Sequence, residues 1–102
     1  MPLSAEALKA LGAPRFRVGQ LLTTPGALEL LKRTGEPVLQ LLLRHACGDW
    51  SELDPEDQAA NQAALVHGAR VLSSYHLTAT ERVWIITEAD RSSTTFLLPE
   101  EY

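Results

Sequence analysis

The last third of the chain, residues 69–102, is unusually rich in polar side chains that can bind or react. They are set into three apolar runs separated by short polar breaks, which is typical of a three-stranded meander. A sheet that is only a scaffold has little need for so many hydrogen-bonding groups beside its core. We therefore predict that the functional surface lies here, and we expect its binding residues to include Ser73, Tyr75, Thr87, Asp90, Thr94 and Thr95.

One chemistry that this region allows is the cleavage of a phosphodiester bond without a metal. His45 or His76 would act as the base, because histidine titrates near neutral pH, and Glu88 is an alternative base. Arg70 and Arg91 would stabilise the negative charge of the transition state. This hypothesis requires one of the histidines to lie within about 3 Å of a second polar group, beside one of the arginines in a concave site.

The polar turn at residues 87–95 also has two plainer interpretations. In a solvated turn, Asp90 and Ser92 would bond to their own backbone, and Glu88 would form a surface ion pair with Arg91. In a buried hydrogen-bond network, Thr, Arg and Asp side chains near a sheet turn would satisfy one another and fix the strand register. The residues alone leave the ligand site and both of these alternatives open.

A second polar cluster, residues 44–50, lies where a helix is predicted to end. As a functional site, His45 would shuttle a proton or bind an anion with help from Asp49, and Arg44 would lie near a phosphate. In a purely structural interpretation, Arg44 and His45 would place positive charge at the negative end of the helix dipole, and Trp50 would cover the edge of the core. The structural interpretation is favoured, while Arg44, Asp49 and Trp50 stay candidates for binding.

No sequence pattern indicates a metal site or a covalent nucleophile. His45 and Cys47 would point about 200° apart on a helix, and CxxC, HExxH and EF-hand patterns are absent. A lone helical cysteine is more often a small core residue than a nucleophile. Neither GxSxG nor a glycine-rich phosphate loop occurs. We therefore predict no metal and no cofactor.

The composition indicates one cytoplasmic domain, residues 1–102, with 45% hydrophobic content. Cys47 is the single cysteine, which favours a reducing compartment, and the N-terminus does not have the pattern of a signal peptide. The apolar runs are far shorter than the roughly 20 residues of a membrane span, so we expect no membrane partner. The net charge of −4 argues against broad nucleic-acid binding and restricts RNA to a local site.

Capping residues and glycines predict four helices, between Ser4 and Gly12, Thr24 and Gly35, Glu36 and Gly48, and Asp54 and Gly68. The third of these is apolar nearly all round and should be the central buried helix. Residues 15–22 form either a short edge strand or an extended connector. After residue 68 the apolar period changes from 3.6 to 2, with a hairpin loop at 78–81 and a turn at 90–93.

This order of elements predicts an α+β fold, with an N-terminal helical layer packed on a C-terminal three- to four-stranded antiparallel sheet. Trp84 and the Thr-rich tail would line the face away from the helices. The last strand, residues 94–99, ends at a proline, and we expect it to be the open edge of the sheet. The residues predicted to form the core are Val71, Tyr75, Val83, Ile85, Phe96 and Leu98 of the sheet and Leu39 and Leu42 of the third helix.

Five stretches carry a resemblance to known proteins: T-P-G-A-L at 24–28, R-H-x-x-G-D-W at 44–50, Asn61, G-x-R-x-L-S-x-Y at 68–75 and W-I-I-T-E-A-D-R-S-x-T-T-x-L-L-P-E-E-Y at 84–102. They are similar to a widespread bacterial family of proteins of about this length, found on plasmids, phages and other mobile elements. Its members are labelled plasmid-related proteins or type I restriction endonuclease subunit M. Ser51 stands where the pattern has glycine.

The resemblance implies an association with mobile elements and transfers no catalytic residue. A methylating subunit needs a Rossmann-like cofactor domain and a motif of the N/D-P-P-Y type, and this sequence contains neither. At the level of the fold alone, helices followed by a sheet bearing His, Arg, Ser and Tyr also resemble barnase-like, EndoU-like and RelE-like ribonucleases.

Two hypotheses of function are consistent with these observations. In the first, the chain is a non-enzymatic accessory protein of mobile elements, a protein-binding or regulatory module that binds a protein partner or itself. In the second, it is a small metal-independent endoribonuclease. The acidic balance and the absence of catalytic motifs favour the first hypothesis. An open sheet edge would favour self-association, and we expect a homodimer.

Overall fold

The computed structural model describes residues 3–102, which form four α-helices and four strands. The helices are α1 (Ala5–Ala10), α2 (Pro25–Thr34), α3 (Val38–Ala46) and α4 (Pro55–His67). The strands are β1 (Gln20–Thr23), β2 (Val71–His76), β3 (Arg82–Thr87) and β4 (Ser93–Leu97), followed by a 3₁₀ turn at Pro99–Glu101. None of the helices within residues 3–102 has the length and apolar character to cross a membrane.

The helix boundaries follow local chemistry, as predicted. The side chains of Ser4, Thr24 and Asp54 each accept a hydrogen bond from the backbone N–H three residues ahead, which satisfies a donor that the first turn leaves free. Gly35 and Gly68 end α2 and α4 in the left-handed region, with φ of 69° and 71°. These signals are short-range, so they can be identified from the sequence without knowing the tertiary fold.

The sheet is mixed, which corrects the prediction of an antiparallel sheet behind an N-terminal helical layer. Its strand order is β1-β4-β3-β2; β2, β3 and β4 are antiparallel, and β1 pairs in parallel with β4. Residues 20–23 therefore form the short edge strand, one of the two alternatives for this segment. Parallel pairing is available because the chain between β1 and β4 contains three helices and two strands, more than the crossover that parallel strands require.

The open edge of the sheet is β1 and not the last strand. β4 lies between β1 and β3, which corrects the prediction for residues 94–99. Pro99 limits how far β4 extends along its own axis, but it does not determine which strands lie beside β4. All four residues of β1 are exposed.

The helices cover one face of the sheet, where the predicted alternation is confirmed. The main core cluster consists of Tyr75, Val83, Ile85 and Phe96 from the strands with Ala27, Leu31, Leu41 and Leu42 from α2 and α3. Leu98 is only partly buried against this cluster. Leu39 is 67% exposed, so its placement in the core is wrong. The first turn of α3 reaches the β1 side of the molecule, and Val38 in that turn is also exposed.

On the opposite face, here called the open face, Ile86 and Leu97 are buried, and Trp84 and Thr95 are partly exposed. Trp84 lies there as predicted, and the ring of Tyr102 contacts it edge-on at a centroid distance of 5.7 Å. The two threonines of β4 divide between the faces, because neighbouring strand residues point to opposite sides. Thr95 lies on this open face, and Thr94 is fully buried on the helical face.

The second edge of the sheet, β2, is partly closed by side chains. Asn61 of α4 donates through Nδ2 to the carbonyl of Leu72 at 2.6 Å and accepts at Oδ1 from its N–H at 3.1 Å, as a neighbouring strand would. The Glu52 carboxylate accepts from the N–H of His76 at 2.8 Å. Three outward backbone groups of β2 are thus already bonded, while the N–H and C=O of Ser74, which point the same way between them, have no partner within residues 3–102. β2 is therefore less open to strand addition than β1.

Replacing Asn61 tests this edge closure. Asn61→Ala should lower the free energy of unfolding by about 1–3 kcal/mol, because it leaves two backbone groups of Leu72 without partners. Urea denaturation measures the loss. The neighbouring Gln62→Ala is the matched control, since Gln62 is exposed, and its effect should stay within about 0.5 kcal/mol. Equal effects of the two substitutions would contradict the role of Asn61.

Candidate functional site

The polar residues of the helical face form one buried hydrogen-bond chain. His45 of α3 lies between two strands, with Nδ1 2.5 Å from Ser73 Oγ and Nε2 2.8 Å from Thr87 Oγ1. Thr87 Oγ1 is in turn 2.6 Å from Thr94 Oγ1, and Thr94 donates to the carbonyl of Val18 at 2.7 Å. The four side chains are completely buried.

Counting donors fixes the direction of every hydrogen bond in this chain. The Val18 carbonyl can only accept, so the Thr94 proton goes to it, and Thr94 must accept from Thr87. Thr87 therefore accepts from His45 Nε2–H, and the bare Nδ1 of the neutral imidazole accepts from the Ser73 hydroxyl. Each hydroxyl and each ring nitrogen is satisfied.

The imidazole of His45 is held in its neutral form. Burial, and then the positive charge of Arg91, lower its pKa from 6.5 to about 3. Phe16 stands between the two groups: its ring meets the imidazole edge-on at 5.1 Å, and the Arg91 guanidinium lies 5.5 Å from its centroid. Protonation would also give Nδ1 a hydrogen that faces the hydroxyl now donating to it.

This chain matches the structural network that the sequence left open as an alternative. A serine beside a histidine is the arrangement of an activated nucleophile, but here neither side chain is accessible to a substrate. The hydrogen bonds instead connect α3, β2, β3, β4 and the segment before β1. Ser73, Thr87 and Thr94 therefore form an internal cross-link on the helical face of the sheet.

The five candidate catalytic residues do not converge on one site. Arg70 Nε lies 3.5 Å from a carboxylate oxygen of Glu88, and its guanidinium lies 5.7 Å from the ring of Tyr102. His76 ends β2 six residues after Arg70, about 20 Å along an extended chain. His45 is fully buried on the helical face of the sheet.

Arg91 is occupied by backbone carbonyls. Its Nη1 donates to Ala69 O at 2.7 Å and Glu88 O at 3.0 Å, and its Nη2 donates to Ala64 O at 3.2 Å. These bonds attach the β3–β4 turn to the C-terminal end of α4, where a positive charge is favoured by the helix dipole. Arg91 has a φ of 62°, unusual for a residue with a side chain, and this conformation is part of the turn. Nearby, Asp90 accepts from Ser92 N at 2.9 Å, as the solvated-turn alternative expects, but the expected ion pair of Glu88 with Arg91 is wrong, because Glu88 pairs with Arg70.

A separate ion-pair cluster surrounds Arg44. Its Nε donates to Asp49 at 2.6 Å and an Nη to Glu52 at 3.2 Å, and its guanidinium lies 4.3 Å from the Tyr75 ring centroid. Burial acts to raise the pKa of Asp49, but hydrogen bonds from Arg44 and Ser51 hold that pKa below its usual value. Tyr75 donates to the backbone carbonyl of Asp49 at 2.8 Å, and burial raises the pKa of its phenol. These polar groups bind one another.

His76 is the one histidine with both an exposed ring and charged neighbours. Its Nε2 lies 2.8 Å from an Arg82 nitrogen, which can only donate, so the ring proton sits on Nδ1 and faces Glu52 Oε1 at 3.0 Å. Burial acts to raise the pKa of Glu52, but bonds from His76 and Arg44 lower it overall. The sequence carries no signal for Glu52 or Arg82, because Arg82 meets His76 through the β2–β3 pairing and Glu52 reaches it from the turn before α4, 24 residues away.

The remaining candidates are separated from these groups. Trp50 is buried with Ala64 and Val71 in a second hydrophobic cluster, as the structural interpretation of residues 44–50 expects. Its indole Nε1 is buried without a hydrogen-bond partner within residues 3–102. Thr95 lies on the open face of the sheet. Among the described residues, no group of three or more His, Cys, Asp and Glu side chains is placed to hold a metal ion.

The exposed edge of the sheet at β1 is an apolar surface. Leu21 and Leu22 are 48% and 43% exposed. An apolar groove of about 150 Å³ runs beside the strand, and its lining includes Leu21, Leu28, Val38 and Phe96. Its only sequence signal is a leucine pair within the loose alternation of residues 15–22.

The backbone of β1 also presents unpaired groups. Gln20 N donates to Ser92 O and Thr24 N to Phe96 O, each at 3.0 Å. The alternation of a strand then directs the N–H and C=O groups of the residues between them, Leu21 and Thr23, away from β4. Within residues 3–102 these outward groups have no hydrogen-bond partner. Apolar side chains and unpaired backbone groups therefore occur together at one edge.

Comparison with known proteins yields no matching family model, no similar curated protein and no similar solved structure. The resemblance to a family of mobile elements therefore stays a prediction.

The pH dependence of stability tests the His45 chain. With a pKa of about 3 when folded and about 6.5 when unfolded, His45 binds a proton more readily in the unfolded state. The contribution of neutral His45 to the free energy of unfolding is fully present above about pH 6.5 and is lost as the pH falls toward 3. Between about pH 6.5 and 5, this residue alone should lower the free energy of unfolding by about 2 kcal/mol, measured by urea denaturation.

Two histidine variants separate this effect from other titrating groups. His67→Gln, at an exposed position, should keep the pH-dependent loss, and His45→Gln should abolish it. If His45→Gln does not fold, NMR titration of the wild-type ring gives the same information. A His45 resonance that titrates near pH 6.5 would contradict the buried neutral imidazole.

Proposed function

We propose that this protein is a non-enzymatic protein-binding module that acts through the exposed edge of β1. The observation that supports the proposal is the combination of unpaired backbone groups at Leu21 and Thr23 with the apolar groove beside them. Strand addition uses these two features together, since backbone hydrogen bonds give affinity and side-chain pockets give specificity. A location on mobile elements remains part of the proposal, supported by the sequence resemblance alone.

The use of the polar residues supports a binding role over catalysis. The most buried of them are committed to one another in the His45 chain, and Arg91 is committed to three backbone carbonyls. Arg44 is paired with Asp49 and Glu52. A catalytic site needs groups that are free to meet a substrate, whereas an interaction edge needs a stable scaffold behind it. The distribution of hydrogen bonds fits the second requirement.

An edge-blocking substitution tests the proposal. Thr23→Pro removes an N–H that points away from β4, so it should weaken binding at the edge while keeping the β1–β4 pairing. In capture from a bacterial host lysate followed by cross-linking and mass spectrometry, the wild type should yield cross-links at β1 that Thr23→Pro loses.

Val66→Lys provides the matched control for this experiment, because Val66 is an exposed apolar residue of α4, outside the β1 edge. It should capture the same proteins as the wild type. Capture that Thr23→Pro leaves unchanged, or the absence of both capture and self-association, would contradict the proposal.

One arrangement favours the alternative function, RNA cleavage without a metal. His76 is exposed and lies between a carboxylate, Glu52, and a guanidinium, Arg82, at hydrogen-bond distance from both. These are the residue types that such a reaction uses as base and as stabiliser of phosphoryl charge. Arg82, however, occupies the ring nitrogen that would have to accept the substrate proton.

RNA cleavage in EDTA distinguishes the two functions. Because Arg82 blocks Nε2, we expect the wild type to leave labelled total RNA intact. The matched variants are His76→Ala, which removes the central ring, and His67→Ala, which removes an exposed histidine elsewhere. Cleavage by the wild type that His76→Ala loses and His67→Ala keeps would establish the nuclease instead.

A further inference from the structure

We infer that two copies of this chain pair antiparallel through β1 about a two-fold axis at Leu22, forming one continuous eight-stranded sheet. This inference rests on the proposed use of the β1 edge and names its occupant, a second copy of the chain. The strand order would run β2-β3-β4-β1 in one protomer and continue through β1-β4-β3-β2 in its partner.

The hydrogen-bonding groups of β1 match those of its own copy in this register. The outward N–H and C=O groups belong to Leu21 and Thr23, on either side of Leu22. With Leu22 on the axis, Leu21 of each protomer faces Thr23 of the other as a hydrogen-bonded pair. The two pairs exchange four hydrogen bonds, so every outward group of both residues finds a partner.

The chain at either end of β1 excludes the neighbouring registers. An axis at Leu21 would extend the ladder to Gly19, but Gly19 has a φ of 63° and packs so closely on the Ser92 carbonyl that even a Cβ would overlap it. An axis at Thr23 would bring in Pro25, which has no N–H and begins α2. The register centred on Leu22 alone uses only extended residues.

Side chains and charge favour the same pairing. The two Leu22 side chains would lie directly opposite at a non-hydrogen-bonded position, with Cα atoms about 4.5 Å apart, and would cover each other. The surface of α2 next to the groove carries both signs, with Glu29 and Lys32 one helical turn apart and Arg33 paired with Glu81. A surface of mixed sign can complement its own copy across a two-fold axis, whereas a surface of one sign repels it.

The capped β2 edge explains why such an assembly would stop at two copies. Asn61 and Glu52 already bond the outer backbone groups of Leu72 and His76. Each end of the eight-stranded sheet would therefore leave only the Ser74 groups free between two capped residues, which favours a dimer over a filament.

Disulfide trapping tests the register. In a Cys47→Ala background, Leu22→Cys should form a covalent dimer under mild oxidation, because the two Cα atoms would lie within the 4.4–6.8 Å that a disulfide spans. Gln20→Cys is the matched control on the same strand. In the proposed register Gln20 faces residue 24 of the partner, so two cysteines at position 20 would be more than about 13 Å apart and should stay reduced.

Light scattering at about 100 µM gives the second readout, since a small edge interface favours micromolar affinity. The wild type should have twice the 11.2 kDa chain mass, and Thr23→Pro should have the mass of one chain. A monomeric wild type, or cross-linking of Gln20→Cys in place of Leu22→Cys, would overturn the inference. The proposed binding function would survive either result if partner capture still depended on Thr23.

Discussion

The buried imidazole of His45 is the interaction on which the rest of the structure depends. It accepts from Ser73 and donates to Thr87, and the chain continues through Thr94 to the carbonyl of Val18. Helix α3, the three antiparallel strands and the segment that leads into β1 are thus fixed by one set of polar contacts. A different strand register would break these hydrogen bonds and leave buried polar groups without partners, which is costly. Alternative registers are therefore disfavoured more strongly than by apolar packing alone.

This constraint positions the candidate functional edge. The last link holds Val18 against β4, and the next residue, Gly19, packs on the Ser92 carbonyl in a conformation that favours glycine. Gln20 then donates to that same carbonyl and begins the parallel pairing. β1 is therefore held by its hydrogen bonds to β4 and by the preceding residues. Within residues 3–102, the backbone groups on its other side make no hydrogen bond.

The parts of the fold that sequence analysis predicted are those encoded by neighbouring residues. Asp54 with Pro55 starts α4, and the period of two identifies the helical face of β2 and β3, although Ser74 and Ile86 on the other face are buried as well. The pairing of β1 with β4 joins residues more than 70 positions apart, and no local pattern reports it. For the same reason the sequence identified Ser73, Thr87 and Thr94 as polar sheet residues. It could not decide whether they faced a ligand or a distant histidine, which is 28 residues from Ser73 and 42 from Thr87.

The two edges of the sheet differ in a way that structural stability does not require. Natural sheets protect open edges with lysine, proline, bulges or capping side chains, and β2 follows this rule through Asn61 and Glu52. β1 instead presents two leucines beside an apolar groove. A single exposed leucine is ordinary, but unpaired backbone groups and apolar side chains at one edge are together what strand pairing requires. The four-residue length of β1 limits non-specific pairing, but its free backbone groups and leucines favour a surface that is covered by a partner strand.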